Sequence, residues 1–234
     1  MRVWIYVEGE SDKLALQALW KSWIERLRTV GHGISIIPLG DKSRLLNKIG
    51  PRAARQLVDN QEDIVIGLPD LYPNQPYAGT RFEHRDMIQL ELVQKKEVSN
   101  ALQEVFSVNR LQAQQLLERF LPTALKHDLE MLLLAAQDQL RDYLGTPDSL
   151  GNWRNPVEDQ NQTQPPKYII EELFKTKSKR RQAYRDTKDA SAILRNVTDI
   201  KTIINNNANS QIKCPVFKAL LDWIGQKTTI SAYE

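Results

Sequence analysis

Short apolar runs alternating with stretches of helical periodicity set the pattern of the first third of the chain. Val3, Ile5 and Val7 alternate with Trp4 and Tyr6, all residue types that suit a pleated strand. Ile34–Pro38 and Asp63–Leu68 predict a second and a third strand, the third nearly continuous in apolar residues, as buried parallel strands are. Between them a helix is expected over residues 11–28, with Ser11 or Asp12 as N-cap, and another over 43–59, kinked or broken at Pro51. Strands separated by helices imply a parallel sheet with right-handed crossovers. The expected class is α/β, a parallel sheet flanked by helices.

Leu71–Thr80 carries Pro73, Pro76 and Gly79 and is expected to be an irregular loop. A helix is predicted over Phe82–Lys96, then a Gln-, Leu- and Glu-rich helical insertion over 97–120. Phe120–Leu125 is expected as a fourth strand, near an edge because of Pro122, followed by an apolar helix, Met131–Leu144. This divides the chain into an α/β domain, 1–144, a long loop, 145–166, and a helical C-terminal lobe, 167–234. Helices are expected there at Tyr168–Lys175, Ser178–Tyr184, Ala190–Asn196, Ile200–Asn206 and Val216–Ile224, with a polar turn over 205–210.

Composition narrows the function more than the fold. With 41% hydrophobic and 26% charged residues in 234, the chain can bury a core. A net charge of +3 means that nucleic-acid affinity must come from a local patch. One cysteine, Cys214, excludes an internal disulfide and a cysteine-cluster metal site, and it fits a reducing cytoplasm. No signal segment precedes the first strand, and no run reaches the ~18 apolar residues of a membrane span, so a cytoplasmic location without membrane association is expected. There is neither a Gly-x-Gly-x-x-Gly after the first strand nor a P-loop, so dinucleotide binding and P-loop ATP hydrolysis are not expected. His32 and His84 lack partners at metal spacing and read as surface or loop residues.

The candidate chemistry is acidic. Glu8 ends the first strand and Asp70 follows the third, so both belong to the carboxyl edge where open α/β sheets place their sites. Asp12 lies one turn on from Glu8, and Glu130 opens a later helix. Gathered carboxylates repel unless a cation holds them, and hard oxygen ligands suit Mg²⁺ or Mn²⁺, which can activate water against a phosphodiester. The alternative is that Glu8 is an exposed loop carboxylate, that Asp12 only caps a helix, and that each acid occupies a separate loop. His127 and Glu130, three apart, are a second pair on one helical face. Lys175, Lys177, Lys179, Arg180, Arg181, Arg185 and Lys188, with Tyr184 among them, form a basic run that can track phosphates or simply line a solvated helix face. Trp153, in polar loop sequence, is a candidate for base stacking.

Val7-Glu8-Gly9-Glu10-Ser11-Asp12 resembles the first motif of Toprim domains, especially those of overcoming-lysogenization-defect nucleases, and Leu68-Pro69-Asp70-Leu71-Tyr72 resembles the second. His127-Asp128-Leu129-Glu130-Met131-Leu132-Leu133, Pro165-Pro166-Lys167, Tyr184, and Cys214-Pro215-Val216-Phe217 with Trp223-Ile224 resemble a Toprim-like family of unknown function, often encoded beside ABC- or AAA-type ATPases in bacterial defence loci. The resemblance implies a Toprim-like sheet and a Mg²⁺- or Mn²⁺-dependent endonuclease, the effector of an antiphage system. It implies Glu8, Asp12, Asp70 and Glu130 as metal ligands, with Glu8, Asp70, Glu130 and Lys167 catalytic and His127 and Tyr72 in support. Implied partners are an ABC/AAA-type ATPase subunit and nucleic acid, DNA before RNA; a homodimer is also admitted. Tyr72 departs from the family's Asp-x-Asp, which leaves open one metal or two. The rival reading is a weakly active or inactive subunit that binds nucleic acid or an ATPase.

Overall fold

The computed structural model describes residues 1–160, 164–179, 182–205 and 211–233. In chain order the first half holds β1 (Arg2–Val7), α1 (Glu10–Leu19), α2 (Lys21–Thr29), β2 (Gly33–Pro38), α3 (Lys42–Asp59), β3 (Ile64–Leu68), α4 (Met87–Glu104), α5 (Arg110–Leu117) and β4 (Phe120–Pro122). The second half is helical: α6 (Glu130–Ala135), α7 (Gln137–Leu144), α8 (Pro166–Thr176), α9 (Ser191–Leu194), α10 (Lys201–Ile204) and α11 (Pro215–Thr228). A π-helical turn, Asp186–Ala190, leads into α9.

The four strands form one parallel sheet in the order β2-β1-β3-β4, with Val7 paired to Pro38 on one side and Leu68 on the other. The expected α/β class holds, and the strand carrying Pro122 is at the edge. The period-2 pattern divides the sheet between two cores. Val3, Ile5, Val7, Ile64, Ile66 and Leu68 face a large apolar cluster shared with α1, α2 and the helices of the second half. Tyr6 and Val65 face a second cluster built with α3, α4 and Ala113 of α5. The C-terminal helices therefore form one covering layer of the sheet, with Phe217 stacked on Trp20, ring centroids 6.0 Å apart.

Several expected elements differ. The helix expected over 11–28 breaks at Trp20, and the one over 131–144 breaks at Ala136, where a buried side chain ends each first piece. Helix α3 is continuous through Pro51. Helix α4 starts at Met87, capped by Asp86, and runs to Glu104, so residues 97–104 continue this helix. Ser178 and residues 182–184 are not helical, because this polar stretch has no apolar stripe to bury. Arg180, Arg181, residues 161–163 and most of the expected polar turn fall outside the described residues.

Helices α3 and α4 cross closely at Gly50. A Cβ built there lies 2.6 Å from the backbone oxygen of Glu97, and a helix backbone cannot yield locally. Gly50→Ala is expected to destabilise by about 1–3 kcal/mol, seen as a melting temperature lower by about 2–4 °C per kcal/mol. An unchanged melting temperature would contradict this packing.

Candidate acidic site

The acidic rim is built where β1 and β3 end side by side. Glu8 is the residue after β1, and its Oε1 accepts the backbone N–H of Asp70 at 2.8 Å, locking the two strand ends together. Burial, with the nearby charges of Asp12 and Asp41, pushes the Glu8 carboxyl up to about 7 against the opposing pull of that N–H and of Lys42. Asp70 is held by backbone bonds between Leu71 and Leu125 (2.7 Å) and between Leu125 and Pro69 (2.9 Å). Its pKa is raised well above the usual carboxylate range by burial first, then by Glu8, Asp12, Asp128 and Glu130. One residue thus feels the other four acids of the rim.

Asp12 is not the N-cap. Gly9 takes that position, and Asp12, three residues on, reaches back to accept the Gly9 N–H at 2.8 Å. That bond satisfies one of the orphan donors of α1, so its role is at least partly structural. Glu130 begins α6, is 4% exposed, and accepts the Tyr184 hydroxyl at 3.0 Å. Burial raises its pKa, with Lys167 and Tyr184 opposing.

Three residues of the site were not among the expected ones. Asp128 Oδ2 accepts the Lys167 backbone N–H at 3.3 Å, while Oδ1, sealed from solvent, has no hydrogen-bond partner of good geometry. Burial and Glu130 raise the Asp128 carboxyl to about 7. Lys42, at the first turn of α3, is 5% exposed and donates to the carbonyls of Leu71 (2.7 Å) and Pro73 (2.9 Å), bracing the loop after Asp70. Desolvation lowers its pKa to about 8 although Glu8 and Asp70 pull the other way. Asp186, opening the π-helical turn, sits 3.6 Å from Lys167 Nζ. That turn is pinned by fully buried Asp189, which accepts the Tyr143 hydroxyl at 2.8 Å and the Arg185 N–H at 2.7 Å.

The remaining expected residues lie elsewhere or play other parts. His127 precedes α6 instead of sharing a helical face with Glu130, and its ring lies against Tyr72, centroids 5.1 Å apart. His84 is not a surface residue: it is 2% exposed, between the carbonyls of Phe82 and Leu71. Of the basic run, Lys175 pairs with Glu172, Lys177 with Asp148 and Arg185 with Asp189, while Lys179 lies against Gly145. Trp153 is partly buried against the large core.

Among the described residues, no three His, Cys, Asp or Glu side chains converge at the spacing of a single metal ion. The five carboxylates stand around one rim instead. The donors are all oxygens, the kind a hard dication takes; burial first and neighbouring charge second lift their pKa values, and Asp128 Oδ1 has no hydrogen-bond partner of good geometry.

A parallel α/β sheet with an acidic carboxyl rim, covered on both faces by helices, defines the class of this molecule. The chain belongs to the family described as Domain of unknown function (DUF4276), whose pattern matches residues 7–225. No curated protein matches the sequence. Among solved structures, the C-terminal region of the Xanthomonas campestris pv. campestris OLD protein is similar at 14% identity, with 96% of this chain and 97% of that one covered and a TM-score of 0.39.

Proposed function

We propose that this chain is a Mg²⁺- or Mn²⁺-dependent nuclease of the Toprim type that cleaves nucleic-acid phosphodiesters, and that it serves as the effector of an ATPase-coupled antiphage system. The observation that carries the reading is the bond from the Asp70 N–H to Glu8, which joins two motif acids at adjacent strand ends within electrostatic reach of Asp12, Asp128 and Glu130. The motif resemblance supplies the nuclease class and the ATPase partner.

Glu8, Asp70, Asp128 and Glu130, with Asp12, would hold the ion, which when bound supplies an activated water and charge stabilisation for the leaving oxygen. The protein's own groups do the rest. Without a cation, burial raises the Glu8 carboxyl to about 7; a bound cation would favour its ionised, ligating form. Lys167 keeps a positive charge beside Glu130 and Asp186, where it can meet a phosphate oxygen as charge builds on it. Tyr184 fixes the Glu130 carboxylate, and Lys42 fixes the Asp70 loop.

A second reading, a non-catalytic subunit that binds nucleic acid or an ATPase, is favoured by two observations. Tyr72 stands where the motif carries a second acid, with its ring against His127, and among the described residues no three donors meet at one point. The deciding experiment is cleavage of supercoiled DNA, single-stranded DNA and RNA with Mg²⁺ or Mn²⁺, with and without the neighbouring ATPase. Metal-dependent products that vanish in EDTA support the nuclease. Absence of cleavage under every condition, with intact nucleic-acid binding, supports the subunit reading.

A further inference from the structure

The outer face of α4 and α5 carries a groove of about 610 Å³ that the acidic rim does not use. One stripe of α4 lines it through Leu92, Lys95, Lys96, Ser99 and Gln103, at helical spacing, and α5 answers with Arg110, Gln114, Leu117 and Glu118. The opposite side of α4 is already spent on the core through Leu90, Gln94, Val98 and Leu102. Exposed apolar side chains stand on the same two helices. Leu92 is 61% exposed, Ile88 one turn before it 69%, and Leu111 beside Arg110 67%. Lys95, Lys96 and Arg110 make no ion pair among the described residues, and only Glu118 opposes them in the lining.

We infer that this groove docks an acidic amphipathic helix of a partner protein. Two roughly adjacent helices present a trough that a third helix can fill by ridge-into-groove packing, with its apolar side chains meeting Leu92 and Leu117. Three cations against one carboxylate give the lining a net positive charge that selects acidic residues on that helix's flanks. Nucleic acid is the poorer occupant, because no aromatic ring lines the groove to stack a base and exposed Ile88 and Leu92 gain nothing from phosphates. A second copy of the chain is also poorer: an isologous contact would bring together two linings that each carry a net positive charge. The inference stands apart from the nuclease reading, because none of the lining residues belongs to the acidic rim.

The test uses the full chain and a panel of stapled helical peptides with leucines one turn apart, whose flanking positions are all Glu, all Gln or all Lys. Fluorescence anisotropy is expected to rank Glu first and to place it about tenfold or more tighter than Lys. Lys95→Glu with Lys96→Glu should reverse that order. Leu92→Asp should abolish binding while leaving the melting temperature unchanged, since Leu92 is exposed. Absence of saturable binding by any peptide, or equal affinity for all three, overturns the inference. So does a single-stranded oligonucleotide whose binding needs Lys95 and Lys96 while the peptides show no ranking. Sedimentation showing a dimer that Leu92→Asp dissolves would overturn it as well, by assigning the groove to a second copy.

Discussion

Glu8→Gln and Asp70→Asn are each expected to reduce Mn²⁺-dependent cleavage by about 10²–10³-fold or more, the scale on which one well-placed charge-stabilising group counts. The same substitutions are expected to leave the melting temperature of the metal-free protein unchanged or higher. The physical reason lies in what these carboxylates experience. Burial is the first cause that raises both; the charges of Asp12 and Asp41 add to it at Glu8, and that of Glu8 at Asp70, so a neutral isostere relieves desolvation and repulsion. Gln at position 8 still offers an oxygen to the Asp70 N–H that Glu8 now holds at 2.8 Å. A buried acid with a structural role behaves in the opposite way. Glu158, 0% exposed, accepts the N–H groups of Val216 and Phe217, each at 2.8 Å, at the start of α11. Its replacement by Ala leaves two buried donors unpaired, which costs stability. Single-turnover cleavage measured beside thermal unfolding in EDTA separates the two kinds of acid. Full activity in both rim variants, or melting temperatures that collapse as a Glu158 variant's should, would remove the proposed role.

The strand ends were legible because alternation and residue type agree there. Val3, Ile5 and Val7 must face one way, and a parallel register then carries Glu8 and Asp70 to one edge. What stayed hidden depends on segments distant in sequence. Lys42 follows a helix N-cap and reads as a surface lysine; only the loop from Leu71 to Pro73, folding back over it, buries the amine. Asp186 reads as one charge in a basic run until the π-helical turn brings it to Lys167. Asp128 lies inside the His127–Leu133 motif, yet nothing local distinguishes it from the flanking His127 and Glu130; its bond from the Lys167 N–H comes from a segment distant in sequence. Helix breaks at Trp20 and Ala136 escaped for the same reason: helical periodicity continues across both, and tertiary packing decides where the pieces part.

The pH dependence of stability offers the second large effect, and its sign is opposite to that of folds held together by paired, ionised carboxylates. Unfolded, Glu8 and Asp128 titrate near 4.5 and 3.8; folded, both are raised to about 7. Between those limits the folded chain holds protons that the unfolded chain has released, so stability is fully present at low pH and is lost as pH rises through 7. Asp12, Asp70 and Glu130 are raised as well and act in the same direction. His84 and His127 oppose this, since burial lowers both below 6.5; their contribution grows with pH and is complete above that value. Lys42, lowered to about 8, adds stability only as pH climbs past 8. Between about pH 6.5 and 8 the raised carboxylates, Glu158 among them, outnumber the lowered histidines and Lys42 whose titrations overlap that window, and the metal-free protein should lose a few degrees of melting temperature across it, at about 2–4 °C per kcal/mol. Asp128→Asn should flatten the slope, with the histidine contributions cancelling in the comparison. Mn²⁺ should raise the melting temperature more at pH 8 than at pH 6, because a cation binds the folded chain best once its carboxylates are ionised. A melting temperature in EDTA that is flat or rising from pH 6.5 to 8, or a Mn²⁺ shift independent of pH, would show that the rim carboxyls are not raised by burial beside one another.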